Sequence, residues 1–461
     1  MFLALLSIVL SIAIGLAFGS LLGTPRITLA PLLTLSLSAG IGLGITSCVF
    51  VLWLYIAGSR GRGVVFVDFG LLTMLSAIVT RKVTAGSDEL RQTSGIRRGR
   101  QPWACVPTLL VFGFCLLTAL VAYGRVSRAH PSGEWDAWTI WNLHARFLFR
   151  GGPFWKEGFS DAISWSHPDY PLLLPGTIAR SWTYWGRESP IVPSLVAMLF
   201  TLSTAGTVFS GLSILRGKTQ ALLGGAVLLG TPFFLTMGAS QYADVPLSFF
   251  IVASLALIAL DESASFKGYG LRVLAGTCAG LAVWTKNEGW VFALSLAFAQ
   301  LLMALVRVPK IPNVRRVLLF LAGLAPVAGI DFLFKATVAP ANYMFGNQPS
   351  VIHRLATFSR YIPIAKAFWS ELFTFGNWRG KMIVLLTIYA ALTGLYGERD
   401  RGATWIILSI SIALTAVGYF FAYVITPVDF QWQLSASLNR LLLQLWPSLV
   451  FLIFLMIQDP A

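Results

Sequence analysis

Two carboxylates stand one residue apart among tryptophans in Glu134-Trp135-Asp136-Ala137-Trp138, just after a long hydrophobic stretch. A carboxylate so placed can act as a general base, taking the proton of an attacking hydroxyl, or can orient a reactant or hold a metal ion. Charge at a membrane boundary is costly and usually marks function. Three further interruptions of apolar sequence carry charge: Asp244 in Gln241-Tyr242-Ala243-Asp244-Val245-Pro246, Lys286 and Glu288 in Trp284-Thr285-Lys286-Asn287-Glu288-Gly289, and Arg440 after Thr426-Pro427-Val428-Asp429-Phe430-Gln431-Trp432-Gln433. Each also has a plain structural reading. Asp244 can cap the helix that Pro246 would start, Lys286 and Glu288 can form a local pair, and Arg440 can snorkel. A hairpin needs no charges, however, and a guanidinium suits a phosphate better than any other side chain does.

These types together make one set. A carboxylate base, a second carboxylate as metal ligand or orienting group, and cations for a departing phosphate are the minimum for moving a sugar from a lipid phosphate to a hydroxyl. The acceptor oxygen must lose its proton as it attacks the anomeric carbon, and negative charge builds on the leaving phosphate. Lys286 and Arg440 are the candidates to meet that charge.

The elements that must position these groups follow from composition. The chain has 461 residues, 56% of them hydrophobic and 11% charged, with a mean hydropathy of +0.74. A soluble enzyme has more polar surface than this. About thirteen apolar runs, from 2–23 to 438–457, are of the length that crosses a hydrocarbon core of roughly 30 Å as helix. The first lacks a basic leader and is followed by further spans, so it reads as a retained helix. The expectation is an all-α polytopic membrane protein of about thirteen transmembrane helices, with interfacial helices in its first large external loop.

Arg81, Lys82, Arg91, Arg97, Arg98 and Arg100 face only Asp88 and Glu89 in one loop, which the excess of basic residues places in the cytoplasm. Counting spans from there puts the loops with Arg216/Lys218, Lys267/Arg272, Arg307/Lys310/Arg315/Arg316 and Arg399/Arg401 on the same side; Arg60 and Arg62 fall opposite. The formal charge of +15 is accounted for by these loops and needs no nucleic acid partner. Cys48, Cys105, Cys115 and Cys278 lie in apolar runs without metal-ligand spacing.

The outer side then receives the loops 124–189 and 339–380 and several tight turns, among them all the charged motifs above. In Ile140 to Arg150, Asn142, Arg146 and Arg150 recur every fourth residue amid apolar neighbours, as in a helix lying in the membrane interface. Trp155, Trp165, Trp182 and Trp185 suit the headgroup region. Ser166-His167-Pro168-Asp169-Tyr170-Pro171 is a Pro-punctuated turn linking two such helices, with His167 either contacting substrate or ordering the turn. Asp331 and Lys335, four apart, suit a local ion pair. Asp68 is an isolated carboxylate in an apolar run.

The acidic motif early in the external loop, His167-Pro168-x-x-Pro171, Tyr242-Ala243-Asp244-Val245-Pro246-Leu247 and Lys286-Asn287-Glu288-Gly289 resemble, in order and common face, the GT-C superfamily of membrane glycosyltransferases. The likeness covers about residues 103–457. It is nearest to bacterial members akin to the dolichyl-phosphate-mannose–protein mannosyltransferase and aminoarabinose-transferase families. About three spans precede the acidic loop where that superfamily usually has one, and Glu-Trp-Asp replaces its commoner adjacent acidic pair.

The resemblance implies a polyprenyl-phosphate-linked sugar donor entering from the outer leaflet and inversion at the anomeric carbon. It maps the external-loop acid onto Asp136, with Glu134 as neighbour, and the second acidic turn onto Asp244. Residues 1–102 would be N-terminal transmembrane helices with a basic cytoplasmic loop, and 103–461 the catalytic domain, with 124–189 as its external catalytic loop. Asp136 is the favoured base and Glu134 an orienting or metal-binding alternative. Asp244, Lys286, Glu288, His167 and Arg440 are candidates to bind substrate and phosphate, and Glu134, Asp136 and Asp244 to hold a divalent cation such as Mg or Mn. The expected protein is a hexosyltransferase of a bacterial inner membrane acting in cell-envelope glycosylation at the periplasmic face, on a lipid, glycan or protein acceptor. A transporter or flippase would show paired repeats with charge near the midplane, which the sequence lacks. A polysaccharide polymerase or ligase would share the chemistry.

Overall fold

The computed structural model describes residues 1–22, 31–59, 61–85, 105–263, 269–307, 310–344, 348–378, 380–395 and 404–458. The basic stretch 86–100, Arg60, Lys267, Arg399 and Arg401 lie outside the described residues. The described chain is helical throughout: α1 (Phe2–Leu21), α2 (Pro31–Ala57), α3 (Gly63–Ala85), α4 (Cys105–Ala129), α5 (Asn142–Arg150), α6 (Leu173–Trp185), α7 (Ile191–Leu215), α8 (Lys218–Leu229), α9 (Pro232–Ala239), α10 (Asp244–Glu262), α11 (Gly270–Thr285), α12 (Glu288–Val306), α13 (Lys310–Thr337), α14 (Gln348–Ala356), α15 (Tyr361–Thr374), α16 (Met382–Thr393), α17 (Thr404–Ile425) and α18 (Phe430–Met456).

Among the described residues ten helices are long and apolar enough to cross a membrane, or up to eleven if α8 and α9, bent by 63° at Gly230-Thr231, form one broken span. The bend falls where Pro232 begins α9, since proline cannot donate back into a preceding turn. The thirteen expected runs thus divide into ten long helices, this bent pair, and two short apolar helices, α11 and α16, of 16 and 12 residues. The chain is a multi-pass membrane protein.

α10 is the hub. It is buried along its whole length and packs on α7, α11 and α18. α11 and α13 approach through glycines: a Cβ on Gly276 would lie 1.9 Å from the Phe320 carbonyl oxygen, and one on Gly323 2.0 Å from that of Val273. With no hydrophobic drive between helices in lipid, such close backbone approach supplies the packing. At the C-terminal end of α10, Asp261 and Glu262 meet Arg272, with Arg307 and Arg316 also on Glu262. This closed network ties α10 to α13 about 27 Å along the helix from Asp244, at about 1.5 Å per residue.

The N-terminal helices are part of the same core. α1 and α2 pack on α6, and α2 on α7. Trp284 of α11 donates its indole N–H to Ser47 Oγ at 3.2 Å, and Ser47 Oγ donates to the Leu172 carbonyl at 3.1 Å. Asp68 gains a clear role here. It accepts from Arg180 Nε at 2.8 Å and from the Tyr184 hydroxyl at 2.6 Å, while Arg180 also donates to the Ser7 carbonyl and Ser11 Oγ. Both charged side chains are fully buried. Breaking a buried pair strands the remaining charge, at about 3–5 kcal/mol. Asp68→Asn or Arg180→Met is therefore expected to lower the unfolding temperature of the detergent-solubilised chain markedly, and Asp68→Leu with Arg180→Met to recover most of the loss. Single variants as stable as wild type would contradict this role.

Three expectations are corrected, two in the external loop and one in α13. α6 is buried on nearly all sides, so it is a core helix and not an interfacial one. Trp155 and Trp182 are 1% and 2% exposed: Trp182 donates to the Ser189 carbonyl and Trp155 packs edge-on against Tyr55, so both indoles are packed inside the protein and do not form an exposed aromatic belt, whereas Trp165 is exposed. Asp331 and Lys335 do not pair with each other. Asp331 accepts from Trp290 Nε1 at 2.9 Å, and Lys335 reaches Asn287 Oδ1 at 2.6 Å and the Asp169 carbonyl. The helix expected over Ile140 to Arg150 is present as a π-helical turn, Ala137–Trp141, that leads into α5, Asn142–Arg150.

Candidate functional site

Four chain segments far apart in sequence meet at the N-terminal end of α10. The first is the turn after α4, which runs through Asp136 into one π-helical turn, Ala137–Trp141, before α5. Such widened turns are frequent at functional sites. The second is the connection from α9 to α10, where Gln241 adopts a left-handed φ of 61° and is held from the first segment. Its amide donates to the Pro131 carbonyl at 3.1 Å and its carbonyl oxygen accepts from Asn142 at 3.4 Å. A non-glycine residue in that conformation is strained and is kept only where surrounding contacts dictate it.

The third segment is the α11–α12 turn. A Cβ on Gly289 would stand 2.1 Å from the Ala282 carbonyl oxygen, so only glycine lets the chain fold back this closely. That return sets Glu288 beside Lys286, with Lys286 Nζ 2.9 Å from Glu288 Oε1. The fourth is α18, begun by Asp429, whose carboxylate caps the Trp432 N–H at 2.7 Å.

The charges interlock. Asp244 is fully buried and both its oxygens are used: Oδ1 accepts from Lys286 Nζ at 3.0 Å and Gln444 Nε2 at 2.7 Å, and Oδ2 from Arg440 Nε at 3.0 Å. Arg440 Nη2 donates to Asp136 Oδ2 at 2.6 Å. Tyr242 lies under the guanidinium, its ring centroid 4.6 Å away. Tyr419 orients Gln444 by donating to its Oε1 at 2.7 Å. Asp244 is the first residue of α10 and makes no cap bond; its carboxylate serves the ion network and not the helix end. Lys286 lies in the turn outside the helices. Burial opposes its charge, but the carboxylates of Asp244 and Glu288 outweigh that and hold its pKa above the ordinary value.

Asp136, Asp244, Lys286, Glu288 and Arg440 are thus brought together as one network. Glu134 is not. It is half-exposed and lies 3.4 Å from His130 Nδ1, four residues back. Glu134, Asp136 and Asp244 do not form a metal-ligand set as placed, because Glu134 turns outward and the Arg440 guanidinium stands between the other two. Among the described residues no group of three or more His, Cys, Asp or Glu side chains is arranged to hold a metal ion.

His167 sits behind this network with a left-handed φ of 50°, stacked on Tyr170 at 4.8 Å. Tyr170 also stacks on Trp141 at 5.5 Å and lies 5.9 Å from Lys286 Nζ. Burial lowers the His167 pKa against the opposing pull of Asp169 and Asp136, so the ring is neutral near pH 7 and backs the aromatic layer. Next to it Asp169, buried, accepts from Asn287 at 2.8 Å and from Asn342 at 2.7 Å. With Lys335 on the other side of Asn287, this belt clamps the residue between Lys286 and Glu288. Asp169 lies within the Pro-rich turn and Asn287 within the Lys-Asn-Glu-Gly turn, but their pairing is not visible in either motif alone. Gln444 carries one signal: it lies one helical turn after Arg440 in an apolar span.

His144 in α5 supplies a pH-dependent test. Burial, reinforced by the field of His167, pushes its pKa down from 6.5 to about 3. The unfolded chain therefore binds this proton more readily, and the stability that neutral His144 contributes is present above pH 6.5 and lost as pH falls towards about 3. His144→Phe is expected to flatten the acid limb of an unfolding-temperature profile. An unchanged acid limb would show that His144 does not carry it.

No family model, curated protein or solved structure matches the chain.

Proposed function

We propose that this protein is an integral membrane glycosyltransferase that moves a sugar from a polyprenyl-phosphate donor to a hydroxyl acceptor with inversion at the anomeric carbon. The observation that carries the reading is the convergence of Asp136, Asp244, Lys286, Glu288 and Arg440 at one end of the helix bundle. The likeness of the four motifs to GT-C enzymes supports it. A flippase would need charges along a path through the bundle, whereas these are gathered at one end.

The roles follow from exposure and partners. Asp136 is 18% exposed at its side chain and Asp244 is not exposed at all. A base must reach the acceptor hydroxyl, so Asp136 takes the proton, and Asp244 holds Lys286 and Arg440 in register. Arg440 donates through Nε and Nη2, and its Nη1 makes no hydrogen bond among the described residues, leaving that edge and Lys286 to meet a phosphate. The arriving phosphate competes with Asp136 for the guanidinium and leaves the carboxylate free to act. The acceptor oxygen then gives its proton to Asp136 and forms the new bond to the anomeric carbon. The bond from that carbon to the phosphate oxygen breaks, and its electron pair leaves on polyprenyl phosphate, where Lys286 and Arg440 stabilise it. Glu288 positions Lys286. A divalent cation arriving with the donor would add charge of the sign favoured by three carboxylates facing two cations, and the steps above do not depend on it.

The site faces the periplasm of a bacterial inner membrane in this reading, because the basic loops of the sequence fall at the other end. The test is transfer by the full chain in proteoliposomes, supplied with labelled polyprenyl-phosphate sugars and envelope extract. Label is expected to move from lipid to a hydroxyl-linked product with inverted anomeric configuration. Absence of transfer from every such donor, with a folded protein, would overturn the proposal.

A further inference from the structure

A cavity of about 230 Å³ lies between α5 and the 3-10 turn that follows it, Gly152–Phe159. Its walls are apolar, from Leu143, Phe147, Phe154 and Trp155, and its polar lining is Arg146 and Arg150. It shares no lining residue with the charged network. Arg146 and Arg150, one turn apart on α5, both turn to a single carboxylate, Glu188 in the α6–α7 connection. Arg146 Nε donates to Oε2 at 3.3 Å, Arg150 Nη2 to the same oxygen at 2.8 Å, and Arg150 Nε to Oε1.

Two guanidiniums sharing one carboxylate leave a net positive charge at the cavity. Both nitrogens of the Arg146 fork, Nη1 and Nη2, and Arg150 Nη1 make no hydrogen bond among the described residues. The two side chains are 37% and 66% exposed, so they are accessible to an incoming anion. Burial works against Glu188, yet Arg150 and Arg146 hold its carboxyl below the ordinary pKa, so it remains the anion that a ligand must supplement or displace. Phe154, exposed beside the cavity, continues the apolar wall outward.

Neither half of this arrangement suffices alone. A free phosphate would satisfy the arginines and leave the apolar walls bare, and a neutral lipid would fill the walls and leave the arginines unmet. We infer that the cavity binds an anionic phospholipid of the bilayer, its phosphodiester on Arg146 and Arg150 and the start of an acyl chain against Leu143, Phe147, Phe154 and Trp155. This assignment does not rest on the enzymatic reading, and a lipid bound there would hold α5, and with it the Asp136 turn, at the membrane surface.

Native mass spectrometry of the full chain in micelles titrated with phosphatidylglycerol tests the inference. Wild type is expected to retain phosphatidylglycerol over phosphatidylcholine, with inorganic phosphate unable to displace it. Arg146→Gln with Arg150→Gln is expected to weaken retention about tenfold, the order expected for loss of a charge-assisted contact. Leu143→Trp, which fills the cavity and keeps the charges, should weaken it as well. Glu188→Gln removes the competing carboxylate and should strengthen it, a gain that a folding defect cannot mimic. Equal retention by all four proteins would overturn the inference, as would displacement of the lipid by inorganic phosphate alone.

Discussion

Asp136→Asn is expected to lower sugar transfer by about 10²–10⁴-fold, the range for loss of a positioned general base, while donor affinity holds or rises because the neutral amide competes less with the phosphate for Arg440. The amide keeps the shape of the carboxylate and can still meet Arg440, but cannot take the proton. Because the Asp136 side chain is partly exposed, the substitution should leave the unfolding temperature close to that of wild type. Kinetics at saturating donor, read beside an unfolding curve, separate a catalytic loss from a structural one. Transfer by Asp136→Asn at the wild-type rate would remove it from the base role. Glu134→Gln provides the contrast: its side chain lies against His130 outside the network, so transfer should be nearly unchanged.

Asp244→Asn is expected to act in the opposite register, on stability before chemistry. Its carboxylate is buried and accepts from Lys286, Arg440 and Gln444 at once. Neutralising it leaves two cations sharing only Glu288 and Asp136 in a poorly solvated setting, at an expected cost of about 3–5 kcal/mol. The unfolding temperature of the detergent-solubilised chain should fall sharply and transfer should be lost. Asp244→Asn with Lys286→Met removes the stranded ammonium, so stability should partly return while transfer stays absent. If Asp244→Asn is as stable as wild type, the network is not the keystone that its burial indicates.

The helices and the charged turns were legible in the sequence for the same reason. In lipid each span must satisfy its own backbone, so hydrophobic runs mark helices directly, and any charge that interrupts them stands out. Asp136, Asp244, Lys286, Glu288 and Arg440 could be singled out in this way. Which of them touch is a tertiary fact: Asp136 and Arg440 are 304 residues apart in sequence, and nothing local says that a guanidinium will lie between two carboxylates.

The same limit explains the misreadings. Asp331 and Lys335 have ideal spacing for a pair on one helix, yet Lys335 finds the Asp169 turn and Asn287 instead, because those groups are brought beside α13 by packing. Trp155 and Trp182 suit a headgroup belt by residue type, but α1 and α2 pack on α6, which carries Trp182, and Tyr55 of α2 packs on Trp155 from 100 residues earlier in the chain. Asp68 had no local partner to suggest its role, since Arg180 lies 112 residues away. Glu134 and Asp136 differ by only two positions, and the turn leading into the π-helical segment sends one outward and the other inward.

The most direct measurement is an experimental structure of the full chain with a polyprenyl-phosphate sugar or polyprenyl phosphate bound. The phosphate is expected within hydrogen-bond reach of Lys286 and Arg440, with the Asp136–Arg440 contact opened and the Asp136 carboxylate facing the side from which an acceptor would attack. A lipid phosphate bound elsewhere, with Arg440 still bridging Asp136 and Asp244, would contradict the account.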